Sequence, residues 1–553
     1  MRKNVLRWMA LLLLAFSTGW ATAQTYSFST KGPQGFSMPH KDRGGVKVNY
    51  SLKGFSLDQF NHKGEISFAG LVLPNRYGCP NLPTESRMIA IPQGAKARLT
   101  VVSCEKTVVK GVNMAPALRP QPETEEPDMN YVKDSKVYTT DAPYPQQPFV
   151  ISETASMRGV DIVTLSVTPF QYNPVTKDLT VYSDIELSLD FEGGNGHFGD
   201  DRLRSSYWDP ILAAELMNYD QLPVINYEAR MQDWLNREAE GAEYLIVTPN
   251  NNAYVEHANQ LRDFRTRQGI LTKVIRLDEM GASTTNEIKA WFHNAYNTWE
   301  IAPVAVCLLA DHGTNLTKQI PAETVPHPYS GSCITDNHYA DPTGDNLPDM
   351  CFSRLIAQDE TELPIFVGKQ LQYEQNPVTD PDFYKNPITA LGWQTERWFQ
   401  ICSEVAGGYW RNQGKTPVRI NAIYEGTPGN IWSSNQNTPM VVNYFGPNGL
   451  NYIPETPAEL GGWSGGTAQK VVEAINNGAF VLQHRDHGME TGWGEPDFGN
   501  SNVSQLTNVG KLPFVMSINC LTGKFNYSSD CLMEAFMRRT HNNQNAGAVG
   551  VLC

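Results

Sequence analysis

The sequence predicts an α/β protein with doubly wound parallel sheets, preceded by an antiparallel β domain. Two patterns lead to this fold class. Apolar and polar residues alternate with a period of two from Gln24 to about residue 200, and short apolar strands alternate with amphipathic helices after about residue 240. The length of 553 residues also exceeds what one hydrophobic core supports. We therefore expect regions that fold around separate cores.

The N-terminus has the pattern of a secretory signal peptide. Arg2 and Lys3 precede a short apolar segment, Trp8 to Phe16, and the small residues at 21–23 follow it. The apolar segment is about half of the ~20 residues that a membrane span needs. We expect residues 1–23 to be removed and the protein to be exported. No other segment is apolar enough to span a bilayer.

Residues 24–237 form the predicted β-rich domain. VKVNYSL (46–52) and DIVTLSV (161–167) have the alternation of half-buried strands, and the turn NPVTKD within residues 168–191 joins two such runs as a hairpin. The proline-rich, acidic segment PALRPQPETEEPD (116–128) predicts an exposed loop. No catalytic group of residues is visible in this half.

Residues 238–553 follow the second pattern. YLIVT (244–248) and VAVCLLA (304–310) predict buried strands, and residues 253–269 and 284–297 predict helices. Such an alternation is typical of parallel sheets covered on both faces. We divide this part into two subdomains, 238–380 and 381–553, and the end of the chain inside a predicted strand indicates a truncated sequence. Further predicted strands are FQICSEVAG (399–407), RINAIYEG (419–426), AFVLQH (479–484) and KLPFVMSIN (511–519).

Charge and cysteine content exclude several classes of protein. A formal net charge of −14 leaves no basic patch to neutralise phosphates, so we expect no nucleic-acid partner. The nine cysteines are too sparse for a disulfide scaffold, and no CxxC pair indicates a zinc site. Cys79 and Cys104 lie in one β-rich region, where they either form a disulfide or remain thiols.

Two predicted strands end at residues that can perform chemistry. AFVLQH leads to His487, and PFVMSINC ends at Cys520. Carboxyl ends of strands in an open α/β sheet meet at the edge where ligands bind, and an imidazole beside a thiol makes it a nucleophile. We choose His487 over His484, because the residue beside Gly488 has the freer position. The structural alternatives are a buried cysteine and a packing histidine.

The residues around this pair resemble the gingipain family of cysteine peptidases. HGMETGW (487–493) is similar to the family motif HGSETAW, whose histidine is catalytic, and Cys520 follows at the family's interval. LTGKF and LMEAF match the family sequence beyond the cysteine, while NPVTKDLTVYSDIELSL and ELMNYD resemble the family's inhibitory propeptide. Met489 departs from the family motif, which has serine there.

The resemblance implies a caspase-like fold and a secreted thiol endopeptidase made as a zymogen, with its own propeptide as inhibitor. Cys520 would attack the scissile carbonyl, His487 would transfer protons, and the amides of Gly488 and Cys520 would hold the oxyanion. Asp336 would orient His487, and Trp493 would contact the substrate. We expect protein or peptide substrates and a location outside a Gram-negative cell or on its outer surface.

The loop DPTGDNLPD (341–349) has several interpretations. In arginine-specific relatives an acidic residue near this position faces a basic side chain, and Asp345 is the nearest match. Asp341, Asp345 and Asp349 together also form an oxygen-rich group that suits structural Ca²⁺. A solvated turn is the third interpretation. The chemistry itself requires no cofactor.

Other functions fit parts of the sequence. GWSGG (462–466) matches G-x-S-x-G around Ser464, but the polar, proline-containing segment before it is not the strand that a nucleophile elbow requires. A sortase-like transpeptidase of the type IX secretion route would share the family motifs. A non-enzymatic surface adhesin would retain the fold without the chemistry.

Overall fold

The computed structural model describes residues 24–58, 64–67, 76–119, 131–327, 330–345, 347–435, 438–463 and 465–553. The predicted signal peptide, most of the predicted loop at 116–128 and Ser464 of the G-x-S-x-G match lie outside the described residues. Within the described part, no helix is long and apolar enough to cross a bilayer.

The N-terminal region consists of antiparallel sheets, in agreement with its period-two pattern. The sheet orders are β1-β4-β5, β6-β10-β8 with β9 beside β10, and β11-β12-β3-β2 with β7 beside β12. Alternate residues such as Val48, Tyr50, Leu187 and Leu189 point into one core, so each strand buries one face. The elements are β1 (Gln24–Ser27), β2 (Gly35–Asp42), β3 (Gly45–Ser51), β4 (Gly54–Asp58), β5 (Glu65–Ser67), β6 (Glu85–Ala90), β7 (Ala95–Val109), α1 (Ser135–Tyr138), β8 (Phe149–Ile151), β9 (Ala155–Met157), β10 (Val160–Val167), β11 (Phe170–Asn173) and β12 (Asp178–Gly193).

The connection after β12 is more ordered than its polar composition suggests. It contains α2 (Asp209–Glu215) and α3 (Tyr227–Asn236), and its side chains Trp208 and Leu212 pack in one cluster with Ile162 of the N-terminal region and Val304 of the α/β half. The connection therefore joins the two halves through buried apolar contacts.

Subdomain A contains a parallel sheet of order β14-β13-β15-β20. Helix α6 begins at the predicted capping box, in which Glu287 N donates to Thr284 Oγ1 (3.3 Å) and Thr284 N donates to Glu287 Oε2 (3.0 Å). Its elements are β13 (Tyr244–Thr248), α4 (Asn252–Arg267), β14 (Thr272–Arg276), α5 (Leu277–Met280), α6 (Thr285–Thr298), β15 (Ala305–Leu309), β16 (Asp311–His312), β17 (Gln319–Ile320), β18 (Glu323–His327), β19 (Gly331–Thr335), α7 (Asn337–Ala340), β20 (Cys351–Leu355) and α8 (Leu363–Gln375).

Subdomain B contains a second parallel sheet, of order β22-β21-β23-β26-β29. Its elements are α9 (Pro381–Lys385), β21 (Ile388–Gln394), α10 (Phe399–Asn412), β22 (Val418–Glu425), α11 (Thr438–Phe445), α12 (Ala468–Asn477), β23 (Val481–Arg485), β24 (Gly488–Met489), β25 (Gly492–Trp493), α13 (Asn500–Val503), β26 (Phe514–Ile518), α14 (Leu532–Arg538), β27 (Thr540–His541), β28 (Gln544–Asn545) and β29 (Gly550–Leu552).

One strand prediction in subdomain B is wrong. Residues 399–407 belong to helix α10, whose buried residues Gln400, Ser403, Glu404 and Gly407 recur at helical spacing. Short apolar runs do not distinguish a buried helix from a strand, and here the buried face is largely polar. The strand of this region is β21, all of whose residues are buried.

The carboxyl ends of both sheets lie on the same side of the α/β half. After β26, Lys524 Nζ donates to Ser330 O (3.1 Å) in the segment before β19. The ring of Phe525 contacts His312, which follows β15, at a centroid distance of 5.5 Å. The loops that end the two sheets therefore meet, and they form one edge where a site can be assembled.

Candidate active site

His487 and Cys520 follow neighbouring parallel strands. In the register of β23 and β26, His484 is opposite Ser517 and Arg485 is opposite Ile518. The chain then continues on one side to Asp486 and His487, and on the other to Asn519 and Cys520. Cys520 is exposed and His487 is half-buried. The predicted nucleophile and base therefore lie at the ends of adjacent strands, at the edge where the two subdomains meet.

Gly488 and Asn519 hold the two strand ends together. A Cβ atom at residue 488 would lie 2.6 Å from Asn519 Cβ and 2.9 Å from Cys520 O, so this position requires glycine for steric reasons. Asn519 Nδ2 donates to Asp486 O (2.8 Å). The loop that carries His487 is thereby fixed against the backbone of the loop that carries the thiol. Asn519 was not recognised from the sequence.

His484 is a buried packing residue, which agrees with the choice of His487 as the candidate base. Its ring is fully buried, stacks on Trp493 at a centroid distance of 3.9 Å, and contacts Glu495 O through Nε2 (2.9 Å). Burial lowers the pKa of His484 to about 4, so the imidazole is neutral at physiological pH. A buried, neutral ring of this kind supports the strand end and does not face a substrate.

The structure does not place Trp493 for its predicted contact with a substrate. Its side chain is 1 % exposed, and its indole Nε1 donates to Ser517 Oγ (2.8 Å) beneath the strand ends. The motif therefore places Trp493 in the core, where it supports His484 and Ser517.

Gln394, at the end of β21, contacts the imidazole of His487. Its Oε1 lies 2.8 Å from His487 Nε2, and its Nε2 donates to Glu396 (2.7 Å) and Glu425 (3.2 Å). Carboxylates accept hydrogen bonds, so the amide nitrogen faces them and the amide oxygen faces the histidine. His487 Nε2 then carries the proton, and Nδ1 is the nitrogen that can accept a proton from a thiol.

Asp486 places a buried carboxyl group behind His487. It is 2 % exposed, and burial raises the pKa of Asp486 to about 6, while the backbone and charge of His487 act in the opposite direction. Gly392 makes room for this group, because a Cβ atom there would overlap Asp486 Oδ2. Asp486 directly precedes His487 in the sequence, and its burial is visible only in the structure.

Comparisons with known proteins identify the family. The model of peptidase family C25 matches residues 237–553, and the model of the C25 propeptide matches residues 48–202. The chain belongs to peptidase family C25. The resemblance to gingipains that the motifs indicate is thereby confirmed.

Several gingipains are similar to this C25 chain. Gingipain R2 of Porphyromonas gingivalis (strain ATCC BAA-308 / W83) is 24 % identical over 483 residues, which cover 86 % of this chain and 58 % of the relative. Lys-gingipain of P. gingivalis (strain ATCC 33277) is 23 % identical over 507 residues, which cover 89 % of this chain and 26 % of the relative. The chain therefore spans only part of the length of these relatives.

Among solved structures, the Arg specific cysteine proteinase gingipain R is 21 % identical, with a TM-score of 0.44 over 56 % of this chain and 62 % of that chain. The complex of P. gingivalis RgpB pro- and mature domains is 20 % identical, with a TM-score of 0.44 over 56 % of this chain and 63 % of that chain.

In this C25 chain Asp336 is engaged by a buried arginine. Its two oxygens accept from Arg354 Nη2 (2.7 Å) and Nε (2.8 Å), and the same guanidinium donates to Ala310 O and Ile320 O (3.1 Å each). The carboxylate of Asp336 thus closes the end of the subdomain A sheet. The structure does not bring it together with His487, and its predicted catalytic role is not supported by this geometry.

The loop 341–349 lies at the opposite, amino-terminal edge of the subdomain A sheet. Asp345 Oδ2 accepts from Ser156 N (2.8 Å), and Asp349 Oδ1 accepts from Arg158 N (2.7 Å), so both carboxylates bind the N-terminal region. Asp345 is therefore not placed to select a substrate side chain beside Cys520, and its predicted role in substrate selection stays a prediction that this geometry does not support.

The same three carboxylates do not fit a calcium ion in this arrangement. Asp341 Oδ1 accepts from Gly344 N (2.6 Å), and Asp345 and Asp349 accept backbone N–H groups, so oxygens that would bind a cation already bind donors. Across the described residues, no group of three or more His, Cys, Asp or Glu side chains could hold a metal ion. The predicted calcium site stays an untested prediction without support here.

All nine cysteines are thiols in the structure. Cys79 is buried and Cys104 is half-buried, so of the two alternatives for this pair the structure has the reduced one.

Proposed function

We propose that this chain is a secreted cysteine endopeptidase, made as a zymogen, that hydrolyses peptide bonds through an acyl-enzyme on Cys520. The observation that carries the proposal is the placement of His487 and Cys520 on the adjacent ends of β23 and β26, with Asn519 holding the two loops together. Membership of peptidase family C25 supports the reaction class.

The tautomer of His487 determines which ring nitrogen transfers protons. Nδ1 accepts the proton of the Cys520 thiol, and the thiolate sulfur attacks the scissile carbonyl carbon. The C–N bond then breaks as His487 returns the proton to the leaving amine. Water, deprotonated by the same nitrogen, hydrolyses the thioester and restores the thiol. The amides of Gly488 and Cys520 are the proposed donors to the oxyanion.

The substrates that we propose are proteins or peptides with a basic residue before the scissile bond. The side chain of Gln394 contacts His487 and also donates to the carboxylates of Glu396 and Glu425, so both carboxylates lie near His487. These acidic groups favour a cationic substrate residue. The names of the relatives, Lys-gingipain and the Arg specific gingipain R, indicate the same preference for those proteins.

The N-terminal region is the proposed intramolecular inhibitor. The C25 propeptide model covers residues 48–202, and β5 of this region lies against α11 of subdomain B. Contacts with both subdomains support a latent form before the connection is cut. Export to the outer surface or the medium follows from the predicted signal peptide and is part of the proposal.

The test uses the chain after its connection has been cut and the N-terminal region removed. Fluorogenic peptides that end in Arg, Lys or Leu are incubated with the wild type, Cys520→Ala and the control Cys351→Ala, which removes another exposed thiol. We expect cleavage after Arg or Lys that iodoacetamide blocks, that Cys351→Ala retains and that Cys520→Ala loses by at least ~1,000-fold. Cleavage that survives Cys520→Ala would refute the assignment.

Two additions to this assay address the other functions. An added amine nucleophile, such as a glycine peptide, is joined to the substrate by a transpeptidase, whereas an endopeptidase gives mainly the carboxylate product. A fluorophosphonate would inhibit an enzyme that used Ser464. The absence of any cleavage, with folded protein, would contradict the proposal and favour an adhesin.

A further inference from the structure

A hairpin of the N-terminal region buries an arginine against the α/β half. Strands β9 and β10 are joined by Arg158 and Gly159, both with left-handed backbone (φ 49° and 74°). Arg158 is 1 % exposed and is among the largest fully buried side chains. A left-handed arginine is uncommon, and it persists where the surrounding structure fixes it.

The guanidinium group of Arg158 donates to subdomain A through both terminal nitrogens, while its Nε donates to Leu203 O (2.7 Å) in the connection. Nη1 donates to Pro303 O (2.6 Å) and Asp349 O (3.0 Å), and Nη2 donates to Ala302 O (3.3 Å). The ring of Tyr296 lies 5.2 Å from the guanidinium carbon. Backbone carbonyls and an aromatic face are the surroundings that a planar, five-donor cation requires when it is removed from water.

The backbone of the same hairpin is bound by two carboxylates. Arg158 N donates to Asp349 Oδ1 (2.7 Å), and Ser156 N donates to Asp345 Oδ2 (2.8 Å). Asp349 is fully buried, and apolar side chains that include Met157 and Val304 pack around the hairpin. Hydrogen bonds to charged acceptors in such a dry site are stronger than those on a surface.

This contact lies far from the thiol in the topology of the molecule. Ala302 and Pro303 precede β15, and Asp349 precedes β20, so Arg158 binds at the amino-terminal edge of the parallel sheet. Cys520 follows the carboxyl end of β26, at the edge where the two sheets meet. The contact that holds the N-terminal region through Arg158 is therefore at a different edge of the molecule from Cys520.

We propose that Tyr296, residues 302–303, Asp345 and Asp349 form a docking site for Arg158 and its hairpin, and that this site retains the N-terminal region after the connection is cut. The inference rests on the proposed zymogen function and concerns how the propeptide is held. Arg237 is exposed and directly follows α3, and a cut there breaks no contact of Arg158. The cut chain therefore remains one particle until Arg158 is withdrawn or its hairpin is digested.

The experiment follows separation of the two fragments, without any measurement of catalysis. A recognition sequence for a site-specific protease is inserted after Arg237 in the full chain carrying Cys520→Ala, and the cut protein is passed through gel filtration. With Arg158 intact, we expect the fragments to elute together. Arg158→Met should dissociate about 100-fold faster, because a buried, hydrogen-bonded cation is lost. Arg158→Lys should fall between them, because lysine keeps the charge without the planar fork.

Two further variants keep the test decisive. Arg98→Met removes an exposed arginine of the same region, which pairs with Asp190 and Glu192 on the surface, and should leave dissociation unchanged. Asp345→Ala removes the acceptor of Ser156 N from the peptidase side and should speed dissociation about tenfold without altering the N-terminal region. Near-UV circular dichroism of the uncut variants verifies that each is folded.

Fragments that separate at once with Arg158 intact, or that remain together equally long in Arg158→Met, would overturn the inference. If Arg158→Met does not fold, Asp345→Ala and Arg158→Lys decide by the same measurement. A loss of peptidase activity in the parallel assay on the Cys520 form would refute the proposed function and leave this result unaffected, since the fragments here carry no nucleophile.

Discussion

The carboxyl edges of the two parallel sheets use polar side chains in different ways. In subdomain B, neighbouring strands end at His487 and Cys520, and their loops are held by backbone contacts and an asparagine. In subdomain A, the corresponding edge ends at Arg354, whose guanidinium is bound by Asp336 and by backbone carbonyls. One edge leaves a thiol exposed, and the other satisfies its charges internally.

The comparison shows what distinguishes a functional edge from a structural one. Arg354 and Asp336 have side chains 4 % and 14 % exposed, and each is the other's main partner. Cys520 is exposed, and the hydrogen bonds around it support the loops. The carboxyl edge of a parallel sheet is therefore a location for function, while burial and partners determine which residues perform it.

The largest effect is expected from breaking the closed edge. Asp336→Ala leaves Arg354 buried without its carboxylate, which should lower the free energy of unfolding of the α/β half by about 3–5 kcal/mol. Urea denaturation followed by tryptophan fluorescence measures the change. Asp263→Ala, in the exposed pair with Arg262, is the control and should change stability by less than about 1 kcal/mol.

The opposite result would restore a catalytic role for Asp336. If Asp336→Ala has the stability of the wild type but loses peptidase activity, its carboxylate acts on His487 in a conformation other than the one described. The two readouts, unfolding and catalysis, thus separate the structural and catalytic interpretations of one residue.

A second prediction concerns pH and the buried His484. Burial lowers its pKa to about 4, below the ordinary value of ~6.5, so between these values the unfolded chain binds more protons than the folded one. The contribution to stability is present above about pH 6.5 and is lost as pH falls through about 4. His484→Gln should reduce the loss of stability between pH 7 and pH 5 by about 2 kcal/mol relative to the wild type.

The comparison with the wild type is needed because other buried groups change the stability with pH in the opposite direction. Burial raises the pKa values of Asp349 and Asp486 to about 6, so their contributions are lost as pH rises through that value. These groups are common to both proteins and cancel in the difference. If the stability of His484→Gln changes with pH as steeply as that of the wild type, the neutral state assigned to the buried His484 is excluded.

The third prediction tests whether Gln394 positions His487. Gln394→Ala removes the acceptor for His487 Nε2–H and frees two carboxylates, so kcat should fall about 10–30-fold with little change in KM. Gln394→Glu restores an oxygen at that place and should recover part of kcat, with the acid limb of the pH–rate profile displaced. Gln413→Ala, at the exposed end of α10, is the control and should leave kcat unchanged. If Gln394 only supported the fold, its substitution would not displace the pH–rate profile.

The sequence was sufficient to predict the strands that lead to His487 and Cys520. The apolar runs that lead to His487 and Cys520 are short, bounded and followed by glycine, and such patterns are visible without a structure. The antiparallel N-terminal region followed in the same way from its period of two. These features depend on local patterns alone.

What the sequence did not reveal depends on contacts between distant segments. Gln394 was missed because β21 is buried on both faces and the helix that follows it resembled a strand. Trp493 was assigned to the substrate because a motif gives a position and no side-chain direction. Arg158 is a lone arginine in a turn, and only its docking against residues 302–303 gives it a role. Asp345 belongs to the same docking surface.

The smallest effect, on substrate preference, is expected for Asp345→Ala. It tests whether the amino-terminal edge of the subdomain A sheet takes part in substrate selection. In the peptidase freed of its N-terminal region, Asp345→Ala should leave the ratio of kcat/KM for Arg and Leu substrates within about twofold of the wild type, because its carboxylate lies at the amino-terminal edge. Glu425→Gln, beside Gln394, should lower the same ratio about tenfold by removing a charge near the substrate. A fall in the ratio for Asp345→Ala alone would assign substrate selection to Asp345. Its loop would then have to move to the thiol, because in the structure Asp345 and Asp349 bind the N-terminal region at the other end of the sheet.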